Sequence, residues 1–429
     1  MKKSLEQAIP ELLAAGILDE ETAAQIRAYY AHPPERSVNW LYVIFGILGA
    51  LLVGLGFILI VAHNWDQFPR MVKTGFALLP LLVGYAAGVY VIRRRLDEPA
   101  WREGAATYIT LALGGCLGLV SQIYHLEGSL SAFLLTWLIL AWPLMWVMRS
   151  GMASLLYWIG AAWMVMQGGY FERWDDGSET HLYYWLLLAG GLPFYLRLVA
   201  RQPDSLFARY HHWVLPLSVT IALGTLTDGQ GAWMMPAYLN LFGAFLLLGR
   251  SSFMAGYKGI ANGYAVLGAL GGLFILYWLS FHWYWDNFQQ YPLVWAGREW
   301  LLAMGLLATV AALAWWKNRG LSLAEIDPLD GAVLGANLLF FIGQAAPMVA
   351  VVGINLLLLA LGLLLLRRGA QQTHLGYLNA GLLTICLLIT LRFFDVDMSF
   401  VARGMLFVAM GLAFFFANYR MIQKRQKND

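Results

Sequence analysis

The chain has 429 residues, of which 60% are hydrophobic and only 12% are charged, and its formal net charge is +3. A soluble protein carries about twice that charged fraction. The composition therefore excludes a soluble enzyme, a disordered chain and an ordinary nucleic-acid-binding domain, so no nucleic acid is expected as a partner. The 2 cysteines are too few for a secreted module held by disulfides. The sequence predicts an all-α integral membrane protein, whose first partner is the lipid bilayer.

Residues 1–36 carry the charges and turn signals of a small helical segment outside the membrane. Gly16 suits the left-handed residue that ends a helix. Asp19 is placed to cap a second helix, which has Glu20 and Glu21 in its first turn. We interpret the segment as a leader that lies on the cytoplasmic surface, with docking of a protein partner as the alternative.

Apolar stretches long enough to cross a bilayer fill most of the remaining chain. A spanning helix needs about 20 apolar residues, because the hydrocarbon core is about 30 Å thick and each residue rises about 1.5 Å. This criterion predicts about fourteen spans. They are placed at residues 40–62, 73–92, 104–124, 130–148, 150–168, 181–199, 212–227, 232–249, 258–281, 297–316, 329–346, 348–366, 375–391 and 399–418.

The loop charges give these spans an orientation. If the N-terminus is cytoplasmic, most of the 28 Lys and Arg residues fall on the cytoplasmic side. The other side keeps Arg70, Lys73, Arg173, Arg298, Arg392 and Arg403. Such a division follows the positive-inside rule and requires an even number of spans, which twelve would satisfy as well as fourteen. Both termini are therefore predicted to be cytoplasmic.

Similar motifs recur about 220 residues apart and predict an internal repeat. The run W-D-Q-F at residues 65–68 matches W-D-N-F at residues 285–288, and Gln122 matches Gln344 at the ends of two spans. The matches keep their order and side, so we predict two parallel six-helix halves with two helices inserted between them. Chance matching is the alternative, because the chain holds 19 Trp and 23 Phe.

The repeat divides the chain into five segments. They are the cytoplasmic helical segment 1–36, the first membrane half 37–200, two inserted helices 201–256, the second half 257–419 and the basic cytoplasmic tail 420–429.

Standard catalytic signatures are missing from the sequence. It has no H-E-x-x-H metal motif, no phosphate-binding loop and no G-x-S-x-G elbow. The adjacent His211 and His212 at a predicted helix start are interpreted as interfacial rather than metal-binding. No metal and no cofactor are predicted.

Polar residues at the predicted outer ends of the spans suggest a vestibule. Asp66 can pair with Arg70 or Lys73, which alone is a surface ion pair worth about 0–1 kcal/mol. The functional alternative is an entry site for a polar head or solute. His125 and Glu127 become a proton-handling pair if the helix ends before them.

Amides inside apolar runs form the second group of candidates. Each needs a partner within the membrane, so these amides either join helices or line a polar path. The candidate path or vestibule residues are His63, Trp65, Asp66, Arg70, Gln122, His125, Glu127, Asn240, Trp285, Asp286, Asn337, Gln344, Asn379 and Asp395.

The run F-H-W-Y-W at residues 281–285 is too aromatic for a purely solvated connection. We expect it to dip into the helix interface or to cover a cavity. A belt of rings that faces the lipid headgroups is the alternative.

Three motifs near the start of the chain resemble a known family. G-L-G-F at residues 54–57, H-N-W-D at 63–66 and Q-I-Y-H at 122–125 follow the short N-terminal helices. This order is similar to the bacterial predicted-membrane-protein family called domain of unknown function 2157, most clearly over roughly the first 170 residues. R-F-F-D at residues 392–395 with R-G at 403–404 resembles its closing segment. The resemblance implies a bacterial inner-membrane protein and brings no activity, substrate or catalytic residue.

Three functional hypotheses follow. The first is a translocator of a polar or amphiphilic small molecule, lipid-linked molecules included, and it rests on the repeat, the amides and the vestibule. The second is a non-transporting membrane scaffold or assembly partner, and the third is a membrane-embedded enzyme. A polar cavity lined by Asn240, Asn337 and Asn379 would favour the first hypothesis, and a dry packed centre the second.

Reporter fusions placed after residues 30 and 425 test the predicted topology. Both should report a cytoplasmic location, because both tails are basic and an even number of spans returns the chain to its starting side. A fusion after residue 425 that reports the outer side would mean an odd number of spans and would contradict the prediction.

Overall fold

The computed structural model describes residues 9–10, 12–31, 65–172, 179–227, 231, 233–288, 297–319, 327–372, 374–395 and single positions between 401 and 415. All regular structure in this part of the chain is helical, and no strand occurs in it. Residues 1–73 and 74–429 form two separate compact units.

The helix α1 of the first unit spans Glu20–Ala31. The Asp19 carboxylate accepts a hydrogen bond from the Thr22 amide at 3.1 Å, which is the expected N-terminal cap. Hydrogen bonds from Thr22 hold the pKa of Asp19 below its ordinary value. Gly16 has φ +67°, the left-handed conformation predicted for it.

The remaining helices follow in chain order. In the first group they are α2 Arg70–Arg94, α3 Pro99–Tyr124, α4 Leu130–Val147, α5 Gly151–Met166, α6 Tyr184–Arg201 and α7 Leu206–Gly224. They continue with α8 Met234–Gly249, α9 Gly263–Leu279, α10 His282–Phe288, α11 Arg298–Asn318, α12 Pro328–Ala345, α13 Pro347–Gln371 and α14 Leu375–Asp395. Helices α3 to α7 pack on one another, α8 packs on α9, α11 and α12, and α13 packs on α9, α12 and α14.

Among the described residues, 8 helices are long and apolar enough to cross a membrane, judged by length and composition. They are α2, α3, α4, α6 with its preceding turn, α11, α12, α13 and α14, while α8 and α9 are shorter apolar helices. This confirms an all-helical chain with membrane-type helices. Two predicted spans, 40–62 and 399–418, lie wholly or mostly outside the described residues. The count of fourteen spans and the parallel repeat stay predictions.

Two carboxylates cap the N-termini of neighbouring helices across the first group. Glu103 of α3 accepts from the amides of Gly151 at 3.2 Å and Met152 at 2.9 Å, at the start of α5. Glu172 accepts from the Ser131 amide at 3.2 Å, at the start of α4. Partial burial works to raise the pKa of Glu172, but hydrogen bonds from Ser131, Gln167 and Ser129 together outweigh it and lower the pKa. Such a charge at a helix N-terminus contributes about 0.3–2 kcal/mol, depending on burial.

Close backbone contact joins α8 and α9. A Cβ atom added at Gly268 of α9 would lie 2.7 Å from the Phe242 carbonyl oxygen and would also clash with the Leu246 amide nitrogen. Only a residue without a side chain permits this approach, which is how small residues pack helices in a membrane. One turn later, a Cβ at Gly272 would meet no heavy atom within 4 Å.

The substitutions Gly268→Ala and Gly272→Ala form a matched pair for testing this contact. Gly268→Ala should destabilise the fold by about 1–3 kcal/mol, because the added methyl group pushes the backbone of α8 away from α9. Gly272→Ala should be neutral or stabilising by up to about 1 kcal/mol, because alanine favours a helix and has room here. The measurement is the temperature at which the detergent-purified chain loses its monodisperse elution peak. Equal midpoints for the two variants would contradict the close contact.

Candidate functional site

An apolar groove lies between α8, α9, α12 and α13. Its empty volume is about 630 Å³, which includes space open to the surroundings. The lining residues are Leu239, Gly243, Leu246, Gly268, Ala269, Gly272, Leu273, Leu276, Leu329, Ala332, Val333, Leu361 and Leu365. None carries a polar side chain, so the groove suits an aliphatic chain rather than a hydrated solute.

The missing side chain at Gly272 leaves much of this space open. Gly268 holds α8 and α9 in backbone contact, so Gly272, one turn further along α9, faces room that no side chain of its own can fill. Gly243 on α8 and Ala332 on α12 are also small lining residues.

A cluster of five charged residues lies at one end of the four helices α8, α11, α12 and α13. The Asp327 carboxylate pairs with Arg250 and with Arg368, whose Nη1 lies 2.9 Å from Oδ2. The Asp330 carboxylate pairs with Lys317 at 2.7 Å and with Arg250 at 3.0 Å. We call these residues, Arg250, Lys317, Asp327, Asp330 and Arg368, the charged cluster.

The charged cluster fits the polarity of the helix ends that it joins. Its three cations lie at the C-terminal ends of α8, α11 and α13, and its two carboxylates lie at the N-terminal end of α12, where Asp327 caps the Leu329 amide at 2.9 Å. Both placements are favoured by the helix dipoles. The Asp330 side chain is 1% exposed, whereas those of Arg250, Arg368, Asp327 and Lys317 are 21–24% exposed.

The groove ends at the charged cluster. Leu246 of the groove is four residues before Arg250, and Leu365 is three residues before Arg368, so each pair shares one helix face. Leu329 of the groove lies directly between Asp327 and Asp330 along α12. An apolar cavity with charges at one end has the pattern of an amphiphile site.

The buried amides Asn240 and Asn337 bind each other. Asn240 Nδ2 donates to Asn337 Oδ1 at 3.2 Å, and Asn337 Nδ2 donates to Asn240 Oδ1 at 2.8 Å. Their second N–H groups reach the carbonyls of Ala303 at 3.2 Å and Val333 at 2.8 Å. Every amide hydrogen is therefore used, and the pair ties α8, α11 and α12 together. Asn379 lies elsewhere, exposed on α14, so the structure does not bring the three predicted cavity residues together.

Residues 281–285 turn inward in part, at the opposite end of these helices: Tyr284 and Trp285 are buried, whereas His282 and Trp283 are exposed. Trp285 is fully buried, and its indole N–H donates to the Leu279 carbonyl at 2.9 Å. Its ring lies where a Cβ on Gly343 would be, beside the half-buried Gln344. Gln344 Nε2 is buried and has no hydrogen-bond partner among the described residues.

Arg392 docks on the end of α9 next to this tryptophan. Its Nη1 donates to the Ser280 carbonyl at 3.0 Å, and Asn355 Nδ2 donates to the same oxygen at 3.1 Å. The guanidinium also lies 4.3 Å from the centre of the Phe281 ring. The cation is thus placed at a helix C-terminus, where the helix dipole favours it.

The other candidate residues are more exposed. Asp286 is exposed and accepts from His282 Nδ1 at 2.8 Å. His125 has φ 52° and ends α3, so it and Glu127 are outside the helix and exposed, as is Gln122 at the helix end. In the first unit, Trp65 lies under Lys73 at 5.7 Å.

Asp66 and Arg70 are exposed. His63 and the side chain of Asp395 lie outside the described residues. A joint role of the candidate residues in a substrate path stays a prediction.

The interfacial interpretation of His211 and His212 is wrong, because both are fully buried. His211 Nδ1 donates to the Phe207 carbonyl at 2.7 Å, so Nε2 accepts from the Ser154 hydroxyl at 2.8 Å. His212 Nδ1 lies 3.0 Å from the Tyr195 hydroxyl. A serine beside a histidine resembles a nucleophile and its base. Ser154 is also fully buried, and here the pair joins α5 to α7.

Sequence reasoning missed the charged cluster and the Ser154–His211 pair. In the sequence, Arg250, Lys317 and Arg368 fall among the basic residues of the predicted cytoplasmic side, and no motif marks Asp327 and Asp330 as their partners. In the part of the chain that the structure describes, no group of three or more His, Cys, Asp or Glu is placed to hold a metal ion.

The helical fold, the candidate spans and the apolar groove together define a multi-pass integral membrane protein. Residues 10–154, about a third of the chain, match the model of the family DUF2157, described as a predicted membrane protein. This match confirms the resemblance for the first part of the chain. No curated protein and no solved structure matches the chain.

A double-mutant cycle on Asn240 and Asn337 tests whether the amide pair joins helices. Asn240→Leu should destabilise the fold, because it leaves Asn337 with an unmet donor and acceptor in an apolar core. Asn240→Leu with Asn337→Leu should recover part of that loss. The coupling between the two sites should lie near the average of about 0.6 kcal/mol measured for membrane helices, with about 1.7 kcal/mol as the upper bound. Thermal midpoints in detergent measure it, and strictly additive effects would contradict the pairing.

Proposed function

We propose that this chain is a translocator of an amphiphilic, lipid-linked small molecule in the bacterial inner membrane. The observation that carries the proposal is the groove of α8, α9, α12 and α13, which is apolar along its length and charged at one end. An aliphatic tail in such a groove stays in an apolar environment, and a polar head attached to it meets the charged cluster.

The buried amides favour an amphiphile over a freely polar solute. Asn240 and Asn337 use all four of their N–H groups on each other and on backbone carbonyls. They offer no donor to a passing solute.

The proposal includes the finer architecture expected from the sequence. Fourteen spans in a parallel 6+2+6 arrangement, with both termini cytoplasmic, put the charged cluster at the cytoplasmic end and Trp285 at the outer end. The motif around Asp286 then lies at the outer side. The arrangement is supported by the positive-inside division of the loops.

A non-transporting scaffold is the second candidate function. It is favoured by the ties between helices, namely the saturated amide pair and the carboxylates Glu103 and Glu172 that cap neighbouring helices. The N-terminal helix α1 then serves as a docking element for a protein partner. Transport measurements separate the two candidates.

The test is lipid flipping in proteoliposomes that contain the purified full chain. The probe is phosphatidylglycerol with a nitrobenzoxadiazole label on one acyl chain, and dithionite bleaches the label in the outer leaflet. In vesicles that contain wild-type protein, dithionite should also bleach the label of the inner leaflet, because flipping carries the labelled lipid to the outer leaflet. Gly272→Leu should slow flipping by at least about tenfold, because its side chain fills the groove.

Gly335→Leu is the matched control. Gly335 lies on α12 outside the groove lining, and a Cβ there meets no heavy atom within 4 Å among the described residues, as at Gly272. This variant should flip lipid at the wild-type rate. No flipping by wild-type protein above protein-free vesicles would remove the translocator and favour the scaffold. Equal slowing by both variants would remove the groove as the path.

A further inference from the structure

The charged cluster holds more donors than its own carboxylates use. Arg250, Arg368 and Lys317 carry three positive charges against the two negative charges of Asp327 and Asp330. Two guanidinium groups with five N–H each and one ammonium group with three exceed the roughly eight lone-pair sites of two carboxylates. The two carboxylates therefore cannot accept from every N–H group, and the remaining ones are available to a further acceptor.

The exposure of the side chains decides which charges an incoming group meets. The Asp330 side chain is 1% exposed, while those of Arg250 and Arg368 are each 24% exposed. The accessible side of the cluster thus presents three cations and one carboxylate, Asp327, because the carboxylate of Asp330 is hidden. This asymmetry favours an anion as the ligand.

The position of the charged cluster indicates what the anion is attached to. Leu246 and Leu365 of the groove are each within one helical turn of an arginine of the cluster. A phosphate diester held by the arginines would therefore have apolar walls directly beside it, as the phosphate of a glycerophospholipid requires. A free inorganic anion has no apolar part that such walls could contact.

We propose that the charged cluster binds the phosphate diester of an anionic glycerophospholipid, with Arg250 and Arg368 as its ligands and an acyl chain in the groove. Guanidinium groups hold phosphate oxygens with paired hydrogen bonds, which makes arginine better suited than lysine to this role. Basic sites between membrane helices at a cytoplasmic end bind lipid headgroups in this manner. The inference rests on the proposed function of the groove and adds the chemistry of the head.

Native mass spectrometry of the full chain in detergent tests the proposal. The probes are phosphatidylglycerol and phosphatidylcholine with identical acyl chains, so that the two lipids differ in headgroup and net charge alone. Wild-type protein should retain phosphatidylglycerol in preference to phosphatidylcholine. Arg368→Gln should lower this preference about fivefold, the effect of one basic residue on an anionic lipid.

Asp327→Asn gives a change of opposite sign. It removes a carboxylate that competes for both arginines, while asparagine still caps α12, so the preference for phosphatidylglycerol should rise. A variant that merely loosened the fold would lower it. Arg367→Gln, a change of an exposed neighbour outside the charged cluster, should leave the preference at the wild-type value. If Arg368→Gln does not fold, Asp327→Asn carries the test.

Gly272→Leu separates the failure of the headgroup site from the failure of the groove. It should reduce the retention of both lipids equally, because it blocks the acyl chain and leaves the charges intact. Undiminished retention of both lipids would overturn the groove and the headgroup site that depends on it. Reduced retention in Gly272→Leu, with an unchanged preference in Arg368→Gln and Asp327→Asn, would overturn the headgroup site alone.

Discussion

The Asp330 side chain is 1% exposed, and its carboxylate is contacted by both Lys317 and Arg250. The packing of α8, α11 and α12 depends on this pairing. Removal of one partner from a buried ion pair typically costs about 3–5 kcal/mol, because the other charge is left without compensation. Arg368 of α13 contacts Asp327 of the same α12 end, so the charged cluster as a whole joins the ends of four helices. The charged cluster also gathers the charges at one end of the helices, and the groove beside it has no polar side chain in its lining.

The same rule of internal partnering explains other polar contacts in the described helices. Glu103 and Glu172 satisfy amides at the starts of α5 and α4. Arg392 and Asn355 satisfy the carbonyl at the end of α9. In hydrocarbon such groups find no water, so each needs a partner from the protein. These contacts tie helices to one another, whereas none of the lining residues of the groove carries a polar side chain.

The features that could be predicted from the sequence are local ones. The cap at Asp19 and the left-handed Gly16 each depend on a few neighbouring residues, and the structure confirms both. The positions of the apolar helices were equally accessible, because length and hydropathy are read directly from the chain. The sequence also indicated that Asn240 and Asn337 need partners, but it could not show that each is the partner of the other.

The features that could not be predicted join residues far apart in the chain. Glu103 reaches Met152, Ser154 reaches His211 and Arg250 reaches Asp327 across separations of 49, 57 and 77 residues. No periodicity or motif encodes which helix will lie beside which, so these contacts depend on tertiary packing. The histidine pair illustrates the error that follows, since a polar residue near a predicted helix end is normally placed at the interface. Here Ser154, the Phe207 carbonyl and the Tyr195 hydroxyl satisfy the rings inside the bundle.

The backbone contact at Gly268 has a mechanical consequence. A second contact of the same kind lies at Gly249, where a Cβ would clash with the backbone of Ala265. These two close contacts prevent α8 and α9 from sliding along each other or separating, so the two helices move as one rigid unit. Any change in the width of the groove must then come from a movement of α12 and α13 relative to α8 and α9. The contacts that resist such a movement are the Asn240–Asn337 pair and the ion pairs of Arg250 with Asp327 and Asp330. They join α8 to α12 and so hold the groove at its present width.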